Sequence, residues 1–350
     1  MPGLKRQPHK TQEAGAERLL MLLERWRAEA VKAGSVISRM VVAFEAGRDG
    51  LWLARWLRAR GIEAYVIHPS SIPVPREHRR AKSDRLDTEM LMRAVLGWLR
   101  GEAKHCSMAR IPTAEEEDAK RPSREHESLV GERTRVINRM TSLLVCLGLP
   151  KVNIKLQRTA KRLDDLRTPE GEPLPPNALA QLRRDLERLA VIKAQLKAIE
   201  RERLARLAVS PQHGTHPMIL MLAKIMGVGI ETADMLVHEV LTRHLRDQRA
   251  VARYGGLTGS PDESGSQRRE QGLAKAGNGR VRRGMLQLAW RWLIHQKSSA
   301  LAQWYRARTA DGRKDTRKTM IVALARKLLI ALWRYVTTGE VSAGVRLKAA

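Results

Sequence analysis

Met40-Val41-Val42-Ala43-Phe44-Glu45 is the stretch on which the reading of the first part of this chain turns. The apolar run reads as a buried strand, ended by Glu45 and by the turn Ala46-Gly47-Arg48-Asp49-Gly50. Working outward, Leu51, Leu53, Ala54, Trp56 and Leu57 predict a helix from about 50 to 60. Gly61 stops it, and Ala64-Tyr65-Val66-Ile67-His68 reads as a second strand. Upstream, Leu19, Leu20, Leu22, Leu23, Trp26 and Ala30 recur at helical spacing among charges, which predicts an amphipathic helix over 11–33. Helix, strand, helix, strand with short connections implies a parallel sheet covered by helices.

After a proline-bearing loop comes Ala81-Lys82-Ser83-Asp84-Arg85-Leu86-Asp87-Thr88, opening an apolar-periodic segment through Met90, Leu91, Ala94, Val95, Trp98 and Leu99. On a helix, Asp84 and Asp87 share one face. Two readings fit the pair. Asp residues at a helix start cap free N–H groups and favour the positive dipole end. With Glu45 at a strand end, they also form the kind of oxygen-donor set that holds a hard divalent cation.

The charge balance points to a polyanionic partner. The chain has 65 Lys+Arg against 37 Asp+Glu, a formal charge of +28, and residues 251–350 carry 20 basic against 6 acidic residues. Half of the excess therefore lies in the last hundred residues, and nucleic acid is the natural ligand. Cys106 and Cys146 are too few for a disulfide framework and lack metal-ligand spacing, which fits a reducing cytoplasm and argues against zinc. No stretch approaches the length of a membrane span, so no membrane partner is expected.

Further along, Leu129, Val130, Val136, Ile137, Met140, Leu143 and Leu144 predict a helix from Ser123 to about Leu147, stopped by Gly148-Leu149-Pro150. A linker at 168–177 precedes a long charged helix, 178–207, with leucines at 179, 182, 186, 189, 196, 204 and 207. It resembles one strand of a coiled coil or long helical hairpin, and reads equally as a helix that brings subunits together or as an intramolecular helical spacer. From Pro217, two short apolar segments flank Gly227-Val228-Gly229. This is either a helix-hairpin-helix whose N–H groups receive a backbone phosphate or a plain αα-hairpin with a glycine turn.

Tyr254 to Ser266 (YGGLTGSPDESGS) reads as a flexible, hydroxyl-rich loop, followed by Arg268, Arg269, Lys275, Gly277-Asn278-Gly279, Arg280, Arg282 and Arg283, and then by an apolar helix over 285–294. A serine in such a loop beside guanidinium groups is a candidate nucleophile toward a phosphodiester; a phosphate cradle or a linker fits the same composition. The segment 316–335 is a basic amphipathic helix whose apolar residues fall on one face and whose basic face meets phosphates.

In order, Phe44-Glu45-Ala46-Gly47-Arg48-Asp49-Gly50, Lys82 to Thr88, the Gly227-Val228-Gly229 hairpin, and Tyr254-Gly-Gly-Leu257 through Ser264-Gly265 to Gly277-Asn278 and Arg282 resemble the motifs of the insertion-sequence 110 family of transposases. The resemblance runs from about Val41 almost to the C-terminus. It implies an α/β RuvC-like (RNase H-like) DEDD domain over 1–104, a helical and coiled-coil region over 105–212, and an α-helical catalytic and DNA-binding domain over 213–340. It makes Glu45, Asp84 and Asp87 ligands of Mg2+ or Mn2+, and Ser264 the nucleophile that joins covalently to DNA. It places Lys82, Gly227, Gly229, Arg268, Arg269, Lys275, Arg280, Arg282 and Arg283 against nucleic acid.

The implied partners are double-stranded DNA of the element ends and target, a structured guide RNA, and further copies of the chain in a dimer or tetramer near the nucleoid. A guide would explain a large basic surface with little base-reading machinery. The family's first Asp belongs on a strand ahead of the first helix, whereas this chain has no Asp before Asp49. The expectation is therefore a RuvC-like domain without its opening strands, and an acidic site short of one carboxylate. Two other functions fit the same residues: a structure-specific nuclease using the acidic set alone, and a nucleic-acid-binding remnant that cuts nothing.

Overall fold

The computed structural model describes residues 15–47, 51–68, 71–72, 84–102, 105–154, 162–264, 267–274 and 276–348; for 84–87 and 260–271 the backbone alone is described. The chain divides into two compact units, 1–115 and 116–350.

The first unit is built on the two strands expected from the sequence. α1 (Ala16–Lys32), β1 (Val41–Glu45), α2 (Trp52–Arg58), β2 (Glu63–Ile67) and α3 (Asp84–Leu99) follow in order. β1 and β2 pair in parallel, with Val41 opposite Glu63 and Glu45 opposite Ile67. Because side chains alternate across a strand, Val42, Phe44, Ala64 and Val66 pack with Leu23 of α1 and Leu57 of α2. Ala43 and Ile67 pack with Leu91, Ala94 and Val95 of α3. Helices thus cover both faces of the pair. Beyond β2, Ala109 N–H donates to the Val66 carbonyl at 2.7 Å, and His68 N–H to that of Ser107 at 2.9 Å, so residues 107–109 extend the sheet edge. At the other end Arg39 forms a forked pair with Glu63, Nε to Oε1 at 2.5 Å and a terminal nitrogen to Oε2 at 2.7 Å. That pair and the Tyr65 hydroxyl hold the Glu63 carboxyl down to about 2.

A short helix, α4 (Ala114–Asp118), spans the unit boundary. In the second unit, α5 (Arg121–Cys146) and α6 (Pro176–Val209) pack side by side. Leu129, Val136, Met140 and Leu144 of α5 meet Leu182, Leu189, Ile192 and Leu196 of α6. Most of the leucine repeat of the long charged helix is therefore packed within this chain, while Leu204 stays exposed. Asp185 is fully buried in this seam and accepts from Arg139 at 2.9 and 2.5 Å and from Arg188 at 2.8 Å. The Arg139 bonds hold its carboxyl below its ordinary value despite burial.

The remaining helices form one further core. α7 (His216–Ala223), α8 (Ile230–Leu236), α9 (Gln248–Tyr254), α10 (Gly279–His295), α11 (Ala300–Arg308) and α12 (Lys314–Thr338) bury Leu222, Val237, Met285, Leu288, Trp292, Leu324 and Leu328 among others. α8 runs on as a π-helical turn, Val237–Leu241. The tail returns across this core. Arg346 accepts from Met226 N–H at 3.0 Å, and the Lys348 amine donates to the carbonyls of Ala223 and Val228 at 2.6 and 3.0 Å.

The flexible loop expected at 254–266 is corrected here. It is largely an antiparallel hairpin, β3 (Gly259–Ser264) and β4 (Gln267–Leu273), with a register shift between Gly259 and Pro261. Its residues offer no alternating apolar face, so the pairing rests on the backbone ladder, which leaves no side-chain signal in the sequence. The helix expected to begin at Met285 starts at Gly279 instead, because Asn278 caps it.

Candidate active site and nucleic-acid interface

Glu45 is the exposed last residue of β1, and Asp84 is the first residue of α3, the helix that packs on β1 through Ala43. Asp87 follows in the first turn of α3. The side chains of the two Asp residues, and Lys82 altogether, lie outside the described residues. Among the described residues no group of three His, Cys, Asp or Glu side chains converges on a metal position. The donor chemistry of Glu45, Asp84 and Asp87, carboxylate oxygen throughout, fits a hard divalent ion and not a soft one.

Ser264 ends β3 as the last rung of its hairpin, opposite Gln267 across a two-residue connection. In the same register Asp262 faces Arg269 and Glu263 faces Arg268, while Lys275 lies outside the described residues. The base of this hairpin is fixed tightly. Ala274 N–H donates to the Thr258 carbonyl at 3.1 Å, and Asn278 N–H to that of Tyr254 at 2.7 Å. Gly277, at φ +92°, lies so close that a Cβ would come within 2.5 Å of the carbonyl oxygens of both Arg253 and Tyr254. Gly256, at φ +64°, leaves room for the Arg282 guanidinium, which a Cβ there would meet at 2.6 Å. Glycine is thus required at both ends of the base.

Asn278 is the junction of this region. Its Oδ1 accepts from the N–H groups of Arg280 and Val281 at 2.9 and 3.3 Å, capping α10. Its Nδ2 donates to Glu239 Oε2 at 3.0 Å. Glu239, buried on the π-helical turn, also accepts from Arg124 of α5 at 2.9 and 3.3 Å. Burial opposes its charge, yet the bonds from Arg124 and Asn278 prevail and leave its carboxyl below the ordinary value.

One helical turn earlier, Asp234 repeats the pattern. It accepts from Ser123 Oγ at 2.6 Å and lies 3.3 Å from His238 Nδ1 and 3.2 Å from the buried Arg203. Burial again opposes charge, and His238, Ser123 and Arg203 outweigh it. Arg203 also pairs with Glu231, and His126 stands between Glu231 at 3.5 Å and Glu200 at 3.1 Å. The start of α5 and the end of α6 are therefore tied to α8 and its π turn through buried charge.

Of the expected phosphate-binding arginines, Arg280 and Arg283 converge on Glu127 of α5: Arg280 binds Oε2, and Arg283 reaches Oε1 through Nε at 3.1 Å and a terminal nitrogen at 2.5 Å. The glycine hairpin is a turn between α7 and α8. Gly227, at φ +90°, packs against His295, and Gly229 is extended as the N-cap of α8. Two of its amides are already spent, Met226 on Arg346 and Val228 on Ile225.

Sequence reasoning missed Glu127, Asp234 and Glu239. The signal was present for the last two, since a carboxylate inside the run Ala233, Leu236, Val237, Val240, Leu241 must be paired to be buried. Among the described residues no helix is long and apolar enough to cross a membrane.

Two family models match the chain. A DEDD-type IS110 model, described as "Transposase", covers residues 5–147 and so includes Glu45, Asp84 and Asp87. A second, described as "Transposase IS116/IS110/IS902 family", covers 220–306 and includes the glycine turn, Ser264 and the arginines after it. The chain is also 46% identical over 316 residues to a protein of Sinorhizobium fredii (strain NBRC 101917 / NGR234) named "Putative transposase y4rJ", an alignment covering 88% of this chain and 80% of that relative. Matches in both units, in the order the motifs require, and identity along most of the length lead to one conclusion: the chain belongs to the IS110 family of transposases.

Proposed function

We propose that this transposase cuts and rejoins DNA through Ser264, with a magnesium-binding acidic site at Glu45, Asp84 and Asp87 in a RuvC-like domain, and with a structured RNA guiding it to element ends and target. The observation that carries the serine reading is its place: Ser264 stands at the last rung of a hairpin whose base is locked by Gly256, Gly277 and Asn278. The ladder gives the Ser264 backbone a set place, and a positioned nucleophile keeps the advantage of proximity that a freely moving one loses. In the step itself the Oγ–P bond forms as one P–O ester bond of the DNA breaks. The serine proton ends on the released hydroxyl terminus, and rejoining reverses the exchange with a new strand.

A divalent ion held by Glu45, Asp84 and Asp87 would supply charge withdrawal from a phosphoryl oxygen. Lys82, Arg268, Arg269, Lys275 and Arg282 supply cations for the backbone, and the turn at Gly227 and Gly229 brings α8 toward it. The formal charge of +28 supports a polyanionic partner, and the family's guide RNA and its assembly into a dimer or tetramer belong to the same reading.

The test is a denaturing gel of protein incubated with element-end DNA, its RNA and Mg2+. Wild type should give a protein–DNA adduct that Ser264→Ala lacks. Metal-dependent cleavage that leaves free ends and ignores the substitution would favour a nuclease using the acidic residues alone.

A further inference from the structure

We propose that Arg280 and Arg283 form a binding site for a phosphodiester of a polynucleotide backbone, and that Glu127 occupies this site in the free protein as an internal competitor. The inference rests on the reading of the chain as nucleic-acid-binding; it adds which group a phosphate must displace.

Two arginines three residues apart near the start of α10 converge on one carboxylate, each oxygen taking a different guanidinium. The two non-bridging oxygens of a phosphodiester offer the same forked pair of acceptors, so the geometry that fits Glu127 also fits a backbone phosphate. The exchange is accessible. The side chains of Glu127, Arg280 and Arg283 are 39%, 36% and 61% exposed, and ion pairs this open hold weakly.

The surroundings favour an anion. The three residues line a cavity of about 260 Å³ together with Arg124, Arg291, Glu231 and Glu239; Glu239 is paired with Arg124 and Glu231 with Arg203, which leaves Arg291 as the further cation of the lining. Arg291 donates from one terminal nitrogen to Thr232 Oγ1 at 2.8 Å, while its buried Nε has no partner among the described residues. The site also has a useful address, since Arg280 lies two residues after Asn278, the anchor of the Ser264 hairpin. A carboxylate and a phosphate cannot share the clamp, so binding there releases Glu127, and with it one of the ties between α5 and α10.

The test measures binding of the full chain to random-sequence duplex DNA and to single-stranded RNA by fluorescence anisotropy across a salt series. Glu127→Gln should tighten binding about fivefold, because the binding-competent site is no longer masked. Arg280→Gln with Arg283→Gln should weaken binding and flatten the log–log salt slope by about 0.9 for duplex DNA, or about 0.7 for a single strand, as one phosphate is then no longer neutralised. The deciding result is the coupling. In the Arg280→Gln/Arg283→Gln background, Glu127→Gln should give no gain. Glu187→Gln, which removes the same charge from an exposed site on α6, should give less gain than Glu127→Gln.

A gain that persists without the arginines, or is matched by Glu187→Gln, would mean a general field effect and overturn the proposal. Unchanged or weaker binding by Glu127→Gln would overturn it as well. If Glu127→Gln does not fold, Glu127→Asp, which shortens the reach but keeps the charge, should give a smaller gain that again requires Arg280 and Arg283. Inorganic phosphate serves as the third arm, and competition by it without any response to either polynucleotide counts against a backbone site. A wild type that binds neither polynucleotide would defeat the nucleic-acid reading itself, whereas binding without coupling defeats this proposal alone.

Discussion

Asn278→Ala removes two things at once, and the structure sets the cost of each. The first is the cap on α10, since Oδ1 accepts from Arg280 and Val281; losing an Asn cap costs about 1 kcal/mol. The second is the Nδ2 bond to the Glu239 carboxylate, which is buried and left with Arg124 as its remaining described partner. A hydrogen bond to a charged group contributes roughly 1.5 kcal/mol at the low end of its range. The low end applies because Arg124 stays and is half exposed. Together the loss is about 2.5 kcal/mol, and two companion variants separate the parts.

Asn278→Ser keeps a cap but cannot reach Glu239, so it should recover only the first contribution. Asn278→Asp keeps the cap yet sets a second carboxylate against Glu239. It should be the worst of the three at neutral pH and recover in acid, when one of the pair takes up a proton. The assay is hydrogen exchange at the Arg280 and Val281 amides, together with urea unfolding. Faster exchange there in Ala than in Ser, with both destabilised, is expected. A loss below about 0.5 kcal/mol for Ala, at the noise of a surface change, or equal exchange in Ala and Ser, would refute the two-part account.

Other perturbations follow from the same packing. Gly277→Ala has no room for its Cβ between two carbonyl oxygens and must adopt a positive φ, so it should loosen the hairpin base, read as faster exchange across 259–273 with the α5–α6 seam unaffected. Leu182→Ala, at a fully buried seam position, should cost about 2–5 kcal/mol in urea unfolding. Acid should weaken unit 116–350. Asp185, Asp234 and Glu239 all have folded values below their ordinary ones, so the stability they contribute is present above about pH 4 and is lost as pH falls through those lower values. Glu231, pushed up by burial, works the other way, but it is one group against these three buried carboxylates and the exposed Glu170 and Asp247, which are also lowered. Thermal melts at pH 7 and pH 3 would check the sign.

What the sequence revealed and what it hid follow from how each element is held together. β1, β2 and the helices beside them were legible because Val42, Phe44, Ala64 and Val66 alternate toward one face while the helical residues repeat near 3.6. The pairing of α5 with α6 was legible as a long apolar stripe, but whether that stripe met another chain or this one depends on α5, a segment distant in sequence. The β3–β4 hairpin was hidden, since a ladder among Gly, Ser, Pro, Asp and Glu is made by the backbone. The helix α11 went unread, although Ser299 before Ala300 is an N-cap signal and does accept from Ala302 N–H at 3.2 Å.

At the candidate site the sequence shows which residues are cationic and serine-bearing. It does not show that Arg280 is neutralised by a carboxylate 153 residues away, because that pairing exists only once α5 and α10 are packed. The acidic set was legible as three residues at a strand end and a helix start, and the fold keeps Glu45 and Asp84 at those two ends.

The most direct measurement is the identity of the residue that joins to DNA. Protein reacted with element-end DNA, RNA and Mg2+ is digested with protease and nuclease, and the nucleotide-bearing peptide is sequenced by mass spectrometry. The account predicts the added phosphodiester on Ser264. Attachment to another residue, or product DNA with free ends and no modified peptide, would contradict it.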